Sequence, residues 1–202
     1  MWALVEDGSI TKIINKPRGM IIDDIQYSRK IFSLWSKSEL EAKGIYEVVF
    51  DNTNSKNQKY YNNTNQSFAF ADGVVTASYG SATAKAHADT LFTADDEDNG
   101  LGTEGEVKVK GLKTLKIENI KSQAASELAR TDWYIVRKAD ANTAVPSAIT
   151  NHRAAVRTKC AQMETAITNA SNTAAIETLY TYTTDGEGVT SRPLGNLPTL
   201  EV

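Results

Sequence analysis

Apolar residues along the chain change their period once, from alternation in the first half to steps of three and four in the second. In the first half, "WALV" and "SITKII" flank Glu6-Asp7-Gly8. Asp-Gly tolerates positive φ at both turn positions, so this pattern predicts a β-hairpin. "SFAFADGVVTASYG" repeats the signal around Asp72-Gly73, and "IYEVVF" at 45–50 has the β-branched and aromatic content of a strand. Between them, Ser36 with Glu39 three residues later forms a capping box, and Gly44 supplies a stop, so a helix of about two turns is expected. Pro17 and Gly19 break "PRGMIIDDI", the Asn-rich 51–66 reads as a loop, and "SATAKAHADTLFTA" is Ala-rich and helix-permissive.

In the second half, Ile117, Ile120, Ala124 and Leu128 line one helix face, and Ile149, Val156, Cys160, Met163 and Ile167 line another. Pro146-Ser147 makes a plausible start for the second helix. A shorter helix is expected over "TAAIETLYTY", followed by an extended tail. No internal repeat is visible. The fold class that follows is α+β: a β-hairpin-rich N-terminal module at 1–94, an acidic Gly-containing linker at 95–111, and at 112–202 an antiparallel helical hairpin with an extended C-terminal tail.

Composition narrows the partners. Hydrophobic residues are 41% of 202 and support a lean core. The net charge is −3 and no basic run occurs, which argues against a nucleic-acid footprint. No stretch approaches the roughly 18 consecutive apolar residues of a membrane span. The first residues lack the basic and apolar regions of a secretory signal, and the single Cys160 cannot close an intrachain disulfide. The expectation is a chain made in a cytoplasm, with no nucleic-acid or membrane partner.

Candidate chemistry is sparse. Asp95, Glu97, Asn99, Gly100 and Glu106 fall at the spacing of a calcium-binding loop. Glu at the third loop position, Gly102 at the eighth and "GEVKVKG" where a helix should exit all favour a solvated acidic linker instead. His87 and His152 lack ligand neighbours at helical spacing, and two helical turns separate His152 from Cys160, so neither a zinc site nor a Cys–His dyad is expected. The Gly residues at 100, 102 and 105 lack the strand, lysine and helix of a phosphate loop, and no nucleophile elbow occurs. No enzyme, metal or cofactor is expected. The best recognition candidate is the loop around Tyr60, Tyr61, Asn62 and Asn63, which offers rigid aromatic area with adaptable amides; an exposed turn is the alternative.

"LARTDWYIVRKADANTAVPSAITNHRAAVR" carries the most identity. Its Thr131-Asp132-Trp133 after a helix ending in Leu, its late Pro146, and Arg153 with Arg157 resemble a helical domain that recurs in small tail proteins of tailed bacteriophages. That domain is grouped with tail assembly chaperones and tail-fibre assembly proteins. His152 departs from the aromatic that the pattern places there. The N-terminal "MWALVEDGSITKII" with "KIFSLWSKSELEAKGIYEVV", and "SRPLGNLP" near the end, are similar to small tail-associated proteins of marine phages. The resemblance implies a non-enzymatic tail or tail-fibre component of the virion, synthesised in the host cytoplasm. It would act in an oligomeric assembly through contacts with other tail or fibre proteins. The alternatives are an assembly chaperone absent from the particle and a carbohydrate- or calcium-binding receptor module. Within this frame, Trp133 is expected to fold over the hairpin seam as a buried wedge. Asp132 and Thr131 are expected to accept backbone hydrogen bonds, and Arg153 and Arg157 to pair with Glu127 or Asp132 or to face a partner.

Overall fold

The computed structural model describes residues 1–200; Glu201 and Val202, the end of the expected tail, lie outside the described residues. The chain is mixed α+β, 36% helix and 24% strand, with a β-rich N-terminal half and C-terminal helices. It divides into two compact units, 1–83 and 84–202.

In the first unit, β1 (Trp2–Glu6) and β2 (Ser9–Ile14) form the expected hairpin, and β7 (Ser67–Ala71) and β8 (Val74–Ser78) form the second. Asp7 and Asp72 both take φ near 50° in their Asp-Gly turns. A third hairpin, β3 (Met20–Ile22) with β4 (Ile25–Tyr27), turns on Asp23 and Asp24 at φ 50° and 59°. This signal is hidden in the sequence, because Asp-Asp is a weaker turn pair than Asp-Gly yet Asp still tolerates the left-handed region.

β5 (Ile45–Asp51) runs antiparallel to β1 and parallel to β8, giving the order β2-β1-β5-β8-β7. Register skips Thr11 opposite Leu4 and Val5, so the bulge puts Ile10 and Ile13 on one face although they are an odd number of residues apart. That face, with Ala3, Val5, Val48, Val75, Ala77, Phe68 and Phe70, forms one core. The sheet curls enough to bring edge strand β2 beside edge strand β7. Its other face, through Leu4, Ile14 and Ile45, packs under β3, β4, α1 (Ile31–Leu34) and α2 (Lys37–Glu41).

The capping box starts α2 as expected: the Ser36 amide donates to Glu39 Oε2 at 2.7 Å and the Glu39 amide donates back to Ser36 Oγ at 3.3 Å. Gly44, at φ +73°, is pressed onto β1, where a Cβ would lie 2.4 Å from the Val5 carbonyl oxygen. The short strand β6 (Tyr61–Asn62) pairs with β9 (Thr83–Ala84), where the first unit ends.

In the second unit, residues 95–111 are not a linker, and the boundary precedes the one the composition suggests. The stretch holds α3 (Ala94–Asp98) and, after it, β11 (Val107–Val109), which pairs with β10 (Thr90–Leu91). Thr93 and Asp96 form a second capping box, and Lys108 Nζ sits 2.6 Å from Asp96 Oδ1. The acidic run is therefore consumed by a helix start, because carboxylates in the first turn meet free amides and the positive end of the dipole. The helix-permissive 81–94 is largely irregular, pinned by His87 Nε2 against the Ala170 carbonyl at 2.8 Å and by Thr173 Oγ1, which donates to the Lys85 carbonyl at 2.9 Å.

The helical hairpin is present: α4 (Leu112–Ala129) packs against α6 (Ser147–Asn169) through Ile120, Ala124, Val156, Cys160, Met163 and Ile167. Cross-helix ties give the antiparallel sense, Lys113 to the Thr168 carbonyl at 2.6 Å and Lys121 to Glu164 at 3.1 Å. Gly111, the N-cap of α4, has no side chain to cap with and lies so close to Ala88 that a Cβ would be 2.3 Å from its backbone. Asp89 caps in its place, accepting from the Gly111 amide at 2.6 Å and from Thr114 Oγ1 at 2.8 Å. These bonds, the Gly111 amide first, hold the Asp89 carboxyl below its usual value.

After α7 (Thr173–Tyr180), the expected extended tail contains a hairpin, β12 (Thr183–Thr184) with β13 (Thr190–Ser191). Beyond it, Leu194 returns to the helical core.

Candidate protein-contact site

The site lies where α4 ends. Between α4 and α6 stands α5 (Asp132–Ala141), where the sequence suggests only a connector. Asp132 in its first turn favours the helix start, and Asn142 stops it in the left-handed conformation at φ 50°. None of its residues is buried.

Arg153, only 7% exposed, fixes the corner. A single nitrogen, Nη1, donates to the Leu128 carbonyl at 2.7 Å, to Thr131 Oγ1 at 2.8 Å and to Asp132 Oδ1 at 2.8 Å. The Leu128 carbonyl is one of the orphan acceptors at the end of α4, where a cation is favoured by the helix dipole. Thr131, 1% exposed, also donates its hydroxyl to that carbonyl at 3.0 Å. One guanidinium therefore closes α4 and anchors the first residue of α5. Arg153 and Asp132 are paired, as the sequence reading allows. Arg157 is exposed, and Glu127 pairs with Arg130 at 3.2 Å instead.

Trp133 is not the buried wedge. It is 52% exposed, and Ile135 and Val136 are also exposed, Val136 to 65%. The wedge role fails because the helix continues through Trp133 and turns its ring outward. Thr131 and the Arg153 stem fill the seam instead. The Trp133 and Tyr134 rings lie 4.0 Å apart at 34°, and the Arg137 guanidinium sits 4.8 Å from the Trp133 centroid. The result is a pre-ordered outward surface of indole, phenol and guanidinium with Val136 one turn from Trp133, while Ile135 is exposed on another side of the helix. The sequence reading gives Ile135, Val136 and Arg137 no part. The clue to them is the Thr-Asp start before an unbroken ten-residue run without Gly or Pro.

The loop at Tyr60, Tyr61, Asn62 and Asn63 is also corrected. Tyr60 is 3% and Tyr61 7% exposed, so both belong to the interior. Asn63 spends its amide on the Lys56 backbone, at 2.9 Å to the N–H and 2.8 Å to the carbonyl. Asn62 alone of the four is exposed. Large rings in a polar loop are read as contact surface only if the loop stands away from the body, and this one folds its rings inward.

The calcium-loop spacing is not realised either, because 95–98 is helical and Glu97 Oε2 accepts from the Glu104 amide at 3.0 Å. Among the described residues, no group of three or more His, Cys, Asp or Glu converges. Cys160 lies in the α6 core stripe, and burial first, then the Glu164 carboxylate, pushes its thiol up, away from nucleophilic use. His152 is buried on α6 with Nε2 unpartnered. No helix among the described residues is long and apolar enough to cross a membrane. The chain matches no family model, no curated protein and no solved structure.

Proposed function

We propose that this chain is a non-enzymatic structural component of a tailed-bacteriophage tail or tail fibre, working through protein–protein contacts centred on α5. The observation that carries the reading is a ten-residue helix with no buried residue, displaying Trp133, Ile135 and Val136 while Arg153 clamps its root. Scattered exposed apolar residues need no explanation, but Trp133 and Val136 lie one turn apart on one face of this helix, and exposed apolar side chains grouped on a face mark a contact surface. Trp, Tyr and Arg are the residues that most often dominate interface energies, and a stacked, pre-ordered set loses little entropy on docking.

Support from the sequence comes from the same segment, whose Thr131, Asp132, Trp133, Pro146, Arg153 and Arg157 resemble the phage tail domain. On this reading the chain is made in the host cytoplasm and ends in the virion, within an oligomeric assembly with other tail or fibre proteins. Mass spectrometry of purified particles tests it: peptides of this chain at stoichiometric abundance are expected. Their absence from particles, with the chain abundant in infected cells, would overturn the structural role in favour of an assembly chaperone.

A further inference from the structure

Two features of the chain, one in each unit, are independent of α5 and match each other in chemistry. In the first unit, Pro17, Arg29, Lys30, Phe32 and Ser33 line a pocket of about 460 Å³. Its frame is fixed: Ile31 is buried, the Lys30 amide donates to Ser28 Oγ at 3.1 Å, and Ser33 Oγ donates to the Lys30 carbonyl at 3.0 Å. The Phe32 ring centroid lies 4.9 Å from that of Trp2. Pro17 and Phe32 supply apolar surface, and Arg29 and Lys30 supply two exposed cations. Among the described residues, neither cation meets a carboxylate. Lys16 and Arg18, on either side of Pro17 in the sequence, are likewise unpaired.

In the second unit, the turn that follows α3 presents Leu101 at 62% exposure. This turn is also fixed. The Leu101 amide donates to the Asp96 carbonyl at 2.9 Å, Gly100 takes φ +69°, and the Glu104 amide donates to Glu97 Oε2 at 3.0 Å. Asp98 and Glu104, three residues before and after Leu101, are exposed and meet no cation among the described residues. Asp98 ends α3, where the dipole disfavours a carboxylate, so it does not serve the helix. Lys108 is already committed to Asp96.

We infer that the Leu101 turn of one copy of this chain docks in the Arg29–Lys30 pocket of a second copy. A leucine set between two carboxylates meets an apolar surface set beside two cations. Burial of the leucine gives affinity, and the opposite charges fix orientation and reject wrong partners. A phosphate chain would use the cations but not the apolar surface of Pro17 and Phe32. Because the pocket and the turn are different parts of the chain, the contact is heterologous. It repeats head to tail into a ring or a helical stack and does not close as a two-fold pair. The contact rests neither on α5 nor on the phage reading.

The test is sedimentation velocity of the full chain from about 5 to about 500 μM, at about 0.05 M and about 0.5 M salt. The average mass is expected to rise with concentration at low salt, and the affinity to be at least about tenfold weaker at high salt. Arg29→Glu/Lys30→Glu and, separately, Asp98→Ser/Leu101→Ser should each weaken association about a hundredfold, whereas Trp133→Ala should leave it unchanged. An equimolar mixture of the two double variants keeps one intact pocket and one intact turn, so it should form a dimer that grows no further. That recovery also shows that both variants are folded. A parent chain that stays monomeric at low salt, association unchanged by salt, or either double variant associating like the parent would overturn the assignment. So would a mixture that stays monomeric, or a pocket that saturates with a short single-stranded oligonucleotide while the chain does not self-associate.

Discussion

Replacing Arg153 separates the charge of the corner from its geometry. In Arg153→Ala, the Leu128 carbonyl and Thr131 Oγ1 each lose a buried donor, at about 1 kcal/mol apiece, since two protons on Nη1 are shared among three acceptors. The Asp132 pair adds less than about 1 kcal/mol, because its carboxylate is 57% exposed and water screens it. The buried alkyl stem contributes about 1 kcal/mol more. Together these give about 3 kcal/mol, or about 10 °C in the melting of a unit of this size.

Arg153→Lys is expected to cost only about 1 kcal/mol, although Arg and Lys are seldom interchangeable. All three acceptors converge on one nitrogen, which a three-donor ammonium can imitate, whereas a bidentate fork it could not. Urea unfolding followed by far-UV circular dichroism reads both variants, since the long helices α4 and α6 lie in this unit. If Arg153→Ala unfolds within about 0.5 kcal/mol of the parent, the corner is not held by this residue. If Arg153→Lys is as damaging as Arg153→Ala, the single-nitrogen geometry is wrong.

Other substitutions probe other links. Trp133→Ala should change stability by less than about 0.5 kcal/mol in the same urea assay, because the ring is exposed; a loss near ~3 kcal/mol would restore the buried wedge. His152→Leu should stabilise the unit by about 1 kcal/mol, since it removes a buried nitrogen without a partner with little change of volume; a lower urea midpoint would mean that Nε2 has a partner. The Asp89 carboxyl is held below its usual 3.8 by the Gly111 amide and the Thr114 hydroxyl. Its contribution to stability is thus complete above about pH 4 and is lost as pH falls through the lowered value. Asp89→Asn should flatten the stability profile below about pH 4, and an unchanged slope there would contradict the cap.

Local signals in the sequence carry the hairpins and the helical pair. Asp7-Gly8 and Asp72-Gly73 set backbone angles that few other residue pairs accept, and the stripes from Ile117 and Ile149 state their period directly. The signals fail where a residue's role depends on a distant partner. Asp89 caps a helix beginning more than twenty residues later, which no window of local sequence displays. The run 95–111 looks like a linker by charge and Gly content, yet Asp96 is spent on Thr93 and Lys108. Arg153 reads as a margin residue because a charged side chain argues for solvent; three acceptors at the end of α4 permit its burial. With that position filled by a guanidinium stem and Thr131, Trp133 has no seam left to occupy.

The role of α5 is tested most directly by a photo-crosslinking residue placed at Val136 in the chain expressed during phage assembly, with Ala125 on α4 as an exposed control. The expected result is a discrete crosslink from Val136 to another tail or fibre protein, recovered from mature particles and absent from the Ala125 control. No crosslink from Val136 in particles or in infected cells, or the same products from both positions, would contradict a contact made by α5.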